Sequence, residues 1–283
     1  MLDFEDTYKK IPFILNGSEQ SKSDSGDKFY YRPFAIFKQD LEVDFNNPVQ
    51  PVLINLILKC CLINENKITP HDSSIWELQI NKRILCLLLI SENSSSHNIS
   101  IETKCHNTSC NELIEAELSL QNLILLNDEV INNKIEVAYK DKKFVFRRPK
   151  GIDQIEWLKH HFQSEKEASK FIYRSLLINP KEINSFNEYF SEKFINEMNN
   201  KFDQFDPVVN FSFDMKCPVC EMQFAHQMNL EEYALKRLKR SQSELLYTIH
   251  LLAKNYKWSE KEIFSIPFWR RKYYLGIIQR ENS

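Results

Sequence analysis

Two short-spaced cysteine pairs, Cys105-x4-Cys110 and Cys217-x2-Cys220, are the residues of this chain whose type and spacing define a specific chemistry. Each pair stands where an alternating apolar pattern gives way to a polar turn. Two such turns offer four sulfurs, and four thiolates converging on one ion make a tetrahedral zinc site. Cys-Pro-x-Cys is the tighter half, while the first pair, with four spacer residues, is at the long end of ligand spacing. A four-thiolate site is closed to water and substrate, so its role is structural. His106 and His226 stand close enough in sequence to replace a sulfur. The competing reading is two unrelated cysteine pairs, in a core or in redox chemistry. Cys60, Cys61 and Cys86 lie in long apolar runs, where cysteine is usually a small core residue.

Other catalytic chemistry is thinly represented. Only four glycines occur, Gly17, Gly26, Gly151 and Gly276, and none are clustered. No dinucleotide turn, phosphate loop or nucleophile elbow can be built from them. The adjacent pair His160-His161 does not share a helix face, and His250 is expected to pack within a long helix. No histidine or carboxylate is tied by spacing to a serine or cysteine nucleophile. A non-enzyme is expected.

The elements that would position the cysteines follow from periodicity. Ile99 and Ile101 precede Cys105, and Leu113, Ala116 and Leu118 follow Cys110, as two strands around a turn would require. Val208 to Met215 reads as a strand leading into Cys217. Between the two pairs lie 106 residues, expected to form an insertion at about 121–207. It contains a hairpin, Lys134 to Tyr139 with Lys143 to Arg147, and helices at Asp153 to Phe162, Glu165 to Ile178 and Ile183 to Phe205, with Asp153 and Ser164 as cap candidates. Before the cysteines, Ile11 to Leu15 and Phe29 to Phe37 suggest a hairpin around a Ser/Gly/Asp-rich loop, Gly17 to Asp27. Val49 to Leu62 and Ser74 to Glu92 are long enough to be helices. After them, Leu230, Tyr233, Ala234, Leu238, Leu245, Ile249 and Leu252 mark one helix over Asn229 to Asn255. Ser259 and Glu262 form a capping box for a short helix, and Pro267 suits the first turn of a last one.

The expected fold is therefore α+β: an amino-terminal β-hairpin and helices (1–97), a zinc-stapled β region split by a large helical insertion (98–228), and a carboxy-terminal helical arm (229–283). The longest apolar run, Ile84 to Ile90, is far short of the ~20 residues that span a bilayer. The acidic amino terminus does not resemble a secretory signal, so cytoplasmic residence, or incorporation in an assembled particle, is expected. Net charge is −2, with residues 229–283 as the basic end. Its stretches Lys236 to Arg240 and Arg270 to Lys272 leave open a zinc-ribbon module that binds nucleic acid.

The arm carries a further pattern: Leu246-Tyr-Thr-Ile-His250-Leu-Leu-Ala253, Tyr256-Lys-Trp258-Ser259-Glu260, Ile266-Pro267 and Arg270-Arg271-x-Tyr273-Tyr274-Leu275. It resembles the baseplate hub assembly chaperones of T-even-like phages and related contractile injection systems. Arg147-Arg-Pro149-Lys-Gly151-x-Asp153-Gln154 is similar to that family's Leu-Pro-x-Gly-x-Asp-Gln turn, and the paired cysteines to its split zinc knuckles. The chain departs from the family in having Glu221 where a knuckle glycine is usual. The resemblance implies a non-enzymatic protein that contacts baseplate or hub proteins of a contractile tail; the net charge of −2 gives the chain no overall field toward nucleic acid or an anionic membrane, so these are not the expected partners. Trp258, Trp269, Arg270, Arg271, Tyr273 and Tyr274 combine large aromatics with arginine, the usual anchors of protein interfaces. Ile263, Leu275 and Ile278 are expected to face inward, and Trp269 and Arg271 outward.

Overall fold

A computed structural model describes residues 7–15, 28–92, 98–128, 134–179 and 183–281. The segment Gly17 to Asp27, expected as a loop, lies outside the described residues. The fold is α+β, as expected, with small antiparallel sheets among helices. Its contacts divide the chain into two units, residues 1–75, 86–93 and 231–283 in one and residues 76–85 and 94–230 in the other. The amino-terminal residues and the carboxy-terminal helices thus share a unit. No helix among the described residues is long and apolar enough to cross a membrane.

The first unit is built on a three-stranded antiparallel sheet: β1 (Lys9–Lys10), β2 (Phe29–Tyr31) and β3 (Leu62–Asn64). The first strand lies before the expected Ile11 to Leu15, where no strand forms, and the second is shorter than the expected Phe29 to Phe37. Pro33 lacks the N–H that would continue β2, and Ala35 takes a positive φ of 65°. The third strand leads directly out of α1 (Gln50–Cys61), which buries Leu53, Ile54, Ile57, Leu58 and Cys61 on one face. Arg32 and Asp40, both fully buried, form a bidentate pair at 2.9 and 2.7 Å. The Asp40 carboxylate also accepts the N–H groups of Ile36 and Phe37, so residues 32–42 fold around it.

The expected helix Ser74 to Glu92 is two helices, α2 (Asp72–Trp76) and α3 (Ile80–Ser91). The break lets the chain pair with residues 149–151: Ile80 N–H donates to Pro149 O and Gly151 N–H to Leu78 O, both at 3.0 Å. Cys86, on α3, and Cys61 are fully buried, as apolar residues would be.

In the second unit, β4 (Asn98–Lys104) pairs with β5 (Leu113–Ser119), which runs into α4 (Leu120–Asp128). The hairpin β6 (Lys134–Tyr139) and β7 (Lys142–Arg147) has Ile135 opposite Phe146 and Val137 opposite Phe144. Strand alternation puts these four on one face. They form a core with Leu176 of α6 (Glu165–Leu176), Phe186 of α7 (Ile183–Tyr189), and Phe194 and Met198 of α8 (Glu192–Phe205). Phe186 meets Phe144 and Phe146 edge to face, as ring quadrupoles favour, with centroids 6.0 and 6.2 Å apart.

The single helix expected over Ile183 to Phe205 is broken because Ser191 caps α8, accepting the Phe194 N–H. Ser164 caps α6 as expected. Asp153, in contrast, is the third residue of α5 (Gly151–Leu158) rather than its cap. It accepts the Lys150 N–H at 2.8 Å and both Nη groups of Arg147 at 2.6 and 2.7 Å. The Arg147-to-Gln154 motif is thus a turn locking β7 to α5.

A two-stranded sheet, β8 (Ser212–Lys216) and β9 (Gln223–Gln227), follows. The strand begins later than the expected Val208 because residues 207–210 turn, with Val209 N–H donating to Asp206 O. The chain then enters α9 (Leu230–Tyr256), α10 (Glu260–Ser265) and α11 (Phe268–Glu281). Gln242 of α9 donates to the carbonyls of Asp40 and Val43 at 2.7 and 2.8 Å. Leu252, Ile263 and Ile278 form the core between the three helices, with Tyr256, Trp258 and Tyr274 against it.

Candidate metal centre

The cysteine pairs sit at the tips of two hairpins, β4–β5 and β8–β9, and the fold brings all four sulfurs within 4.8 Å of one another. Cys105 Sγ is 3.5 Å from Cys220 Sγ, and Cys110 Sγ is 3.8 Å from Cys217 Sγ. Metal–sulfur bonds of about 2.3 Å in a regular tetrahedron place sulfurs about 3.8 Å apart. A disulfide would require about 2.05 Å, and all seven cysteines are free. The four sulfurs are compatible with a metal site.

Both turns close in the same way. Cys105 N–H donates to Glu112 O at 2.8 Å and Cys217 N–H to Met222 O at 2.9 Å. Asn111 N–H donates to Asn107 O, as Glu221 N–H does to Cys217 O. Asn107 thus has the turn-opening role of Cys217, so the longer first loop places Cys105 two residues ahead of that turn. The residue after each second cysteine is left-handed, Asn111 at φ 48° and Glu221 at φ 57°. Asparagine tolerates this conformation; glutamate does so at a cost.

Backbone N–H groups point at the sulfurs. Asn107 N–H meets Cys105 Sγ at 3.4 Å, Glu112 N–H meets Cys110 and Met222 N–H meets Cys220. Such bonds favour the thiolate. The Met222 N–H, helped by the neighbouring thiols, holds Cys220 down at about 7. Burial pushes Cys105 up to about 12, and the nearby sulfurs of Cys220 and Cys217 add to it. Cys110 is also raised: the Glu112 N–H lowers it, but burial and the same two sulfurs outweigh that bond. One thiolate forms readily and its neighbours resist a second, so a dication is what would let all four ionise.

Around the sulfurs is a small core of Ile114, Met215 and Phe224. His106 and His226 pack beside the cluster without joining it. His106 stacks on Phe224 with centroids 4.2 Å apart, and His226 Nδ1 meets Thr103 Oγ1 at 3.3 Å.

The arm residues separate into two sets. Trp269 and Tyr273, four positions apart on α11, are 64% and 61% exposed. Arg270 is exposed beside them and donates to Tyr274 Oη at 3.0 Å. Trp258 stacks on Tyr256 at 4.6 Å and meets Tyr274 edge-on at 5.2 Å, so Trp258 and Tyr274 join helices. Arg271 does not face outward: it is 3% exposed and donates to Ile36 O. Its position seven residues before Ile278 puts it on the inward stripe of α11. His250, expected to pack, is instead exposed on α9.

One polar node had no sequence signal. Asp206 is buried against Arg148 at 3.1 Å and accepts from Asn81 Nδ2 at 3.2 Å, while Asn81 also donates to Asn127 Oδ1. Its members come from four distant segments of the chain.

No family model, curated protein or solved structure matches this chain.

Proposed function

We propose that this chain is a non-enzymatic assembly or structural protein of the baseplate hub of a phage-like contractile injection system, acting by protein contacts, with a structural zinc at Cys105, Cys110, Cys217 and Cys220. The motifs of the arm support the family assignment. The observation that carries the protein-contact reading is the exposed pair Trp269 and Tyr273 with Arg270 on α11. Large aromatics beside an arginine are the residues that dominate binding energy when an interface covers them. Zinc is the ion that suits four thiolates, and a closed set leaves it no catalytic position.

The alternative, a zinc-ribbon nucleic-acid binder, is less well supported. The basic stretch of α9 is largely met by the protein's own acids: Lys236 pairs with Glu232, Arg237 with Glu92 and Arg240 with Glu244. Phosphate binding requires cations free to displace counterions.

The double variant Trp269→Ala/Tyr273→Ala is expected to keep the wild-type melting temperature, because both rings are exposed, and to lose co-purification with baseplate proteins and particle assembly. Normal particles from this variant would remove the assignment. Steep salt-dependent binding to DNA or RNA by the wild type would favour the alternative.

A further inference from the structure

Helix α11 holds a buried cation, Arg271, whose hydrogen-bonding capacity is only partly met among the described residues. The guanidinium of Arg271 lies over the rings of Phe264 and Phe268, 5.1 and 5.5 Å from their centroids. One Nη2 N–H donates to Ile36 O at 2.6 Å. Nε and Nη1 are buried and meet no acceptor among the described residues. Burial holds the Arg271 pKa below the usual guanidinium range, with Asp40 acting against it. Asp40 is already committed to both nitrogens of Arg32 and to two backbone N–H groups. Among the described residues, Arg32, Asp40 and Arg271 together carry one net positive charge in the interior, an unfavourable arrangement unless something answers it.

Arg271 also lines a groove of about 380 Å³, bounded by Pro33 to Ile36, by Ser241 to Thr248 of α9 and by Phe268 to Gln279 of α11. Phe34, Leu245 and Leu275 give it apolar walls, and Lys272 adds a second positive charge. Glu244, the carboxylate on its lining, is held by Arg240 at 3.1 Å. A cleft of this size takes one or two side chains. Its charge calls for a carboxylate, which accepts two N–H groups from one guanidinium.

We propose that this groove binds a peptide segment of a partner protein, an acidic side chain pairing with Arg271 while an adjacent apolar side chain lies against Phe34 and Leu275. The proposal rests on the reading that the chain works by protein contacts, and it names the chemistry of the partner segment.

The test uses the full chain and fluorescein-labelled octapeptides with a central Glu flanked by Leu or Phe, each compared with its Gln counterpart by fluorescence anisotropy. Glu peptides are expected to bind at least tenfold more tightly than Gln peptides. Thr248→Trp, which fills the groove from α9 and leaves Arg271 in place, is expected to abolish binding at an unchanged melting temperature. Arg271→Gln is expected to lose the Glu preference; should it fail to fold, Thr248→Trp still decides. Equal binding of Glu and Gln peptides, no binding of either, or binding that survives Thr248→Trp would each overturn the proposal. Trp269→Ala/Tyr273→Ala should bind the peptides normally, so failure of the groove and failure of the exposed face are told apart.

Discussion

If the four cysteines hold a zinc as proposed, replacing Cys217 by serine should weaken its binding and loosen two hairpins while sparing the neighbouring core. Cys217 is fully buried, 3.8 Å from Cys110, and serine offers a poor, protonated oxygen in place of a thiolate. Structural zinc contributes on the order of 10–16 kcal/mol of apparent binding energy, so one of four ligands accounts for roughly 3–4 kcal/mol. That is a hundredfold to thousandfold loss of affinity, at about 1.4 kcal/mol per decade. Near the sulfurs the apolar core is small, Ile114, Met215 and Phe224, and isolated two-stranded hairpins are marginal in water; Ile99 and Ile101, buried further along β4, lie outside that cluster. Elemental analysis after dialysis against a chelator of micromolar zinc affinity should find about one zinc per chain in the wild type and in Cys61→Ala, and substantially less in Cys217→Ser. Hydrogen exchange should then accelerate at least about a hundredfold in β4, β5, β8 and β9. The β6–β7 amides should stay protected, because Phe144, Phe146, Phe186 and Phe194 form their own core. A folded wild type without metal, or zinc and protection retained in Cys217→Ser, would refute the reasoning.

Three further expectations follow from particular residues. Glu221→Gly should raise stability by about 0.5–1 kcal/mol in a urea titration, since it relieves a left-handed glutamate, while Asn111→Gly should gain less because asparagine tolerates that conformation; equal gains would show that conformation is not the cause. Gly151→Ala should cost about 1–3 kcal/mol, because its Cβ would come 2.6 Å from Arg83 Nη1 and Arg83 is 1% exposed, with an unchanged urea midpoint counting against the close approach. Burial lifts the Asp206 carboxyl to about 6 from 3.8, with Arg148 pulling the other way. The folded state therefore holds the proton more tightly, and the carboxyl's contribution to stability is greatest below about 4 and falls as pH rises to about 6. The stability difference between the wild type and Asp206→Asn should change across that window and be flat above it; a difference constant from pH 4 to 7 would show that burial does not dominate.

What the sequence determined by itself was local. Ser164 and the Ser259-to-Glu262 capping box are legible because a cap acts within three residues. The helices of the arm follow from apolar periodicity, and the hairpin partners of Lys134 to Arg147 from alternation around a short turn. The cysteine spacing marked two turns as sources of sulfur ligands, because two sulfurs on one turn can meet one ion without help from the rest of the chain, and the fold brings the four sulfurs together.

Tertiary structure decided what depends on distant segments. It paired β2 with β3, and it broke the run Ser74 to Glu92 so that Leu78 and Ile80 could bond to residues 149–151. The Asp206 node joins residues up to 125 positions apart, with no local pattern to announce it. Arg271 shows the limit most clearly. An arginine among exposed aromatics reads as a surface anchor, yet the rotation of α11 against residues 33–36 turns it inward, 235 positions from the carbonyl it meets. Side-chain type and spacing state what a residue can do. Which face of a helix is covered, and by which part of the chain, is settled only when distant apolar surfaces pack.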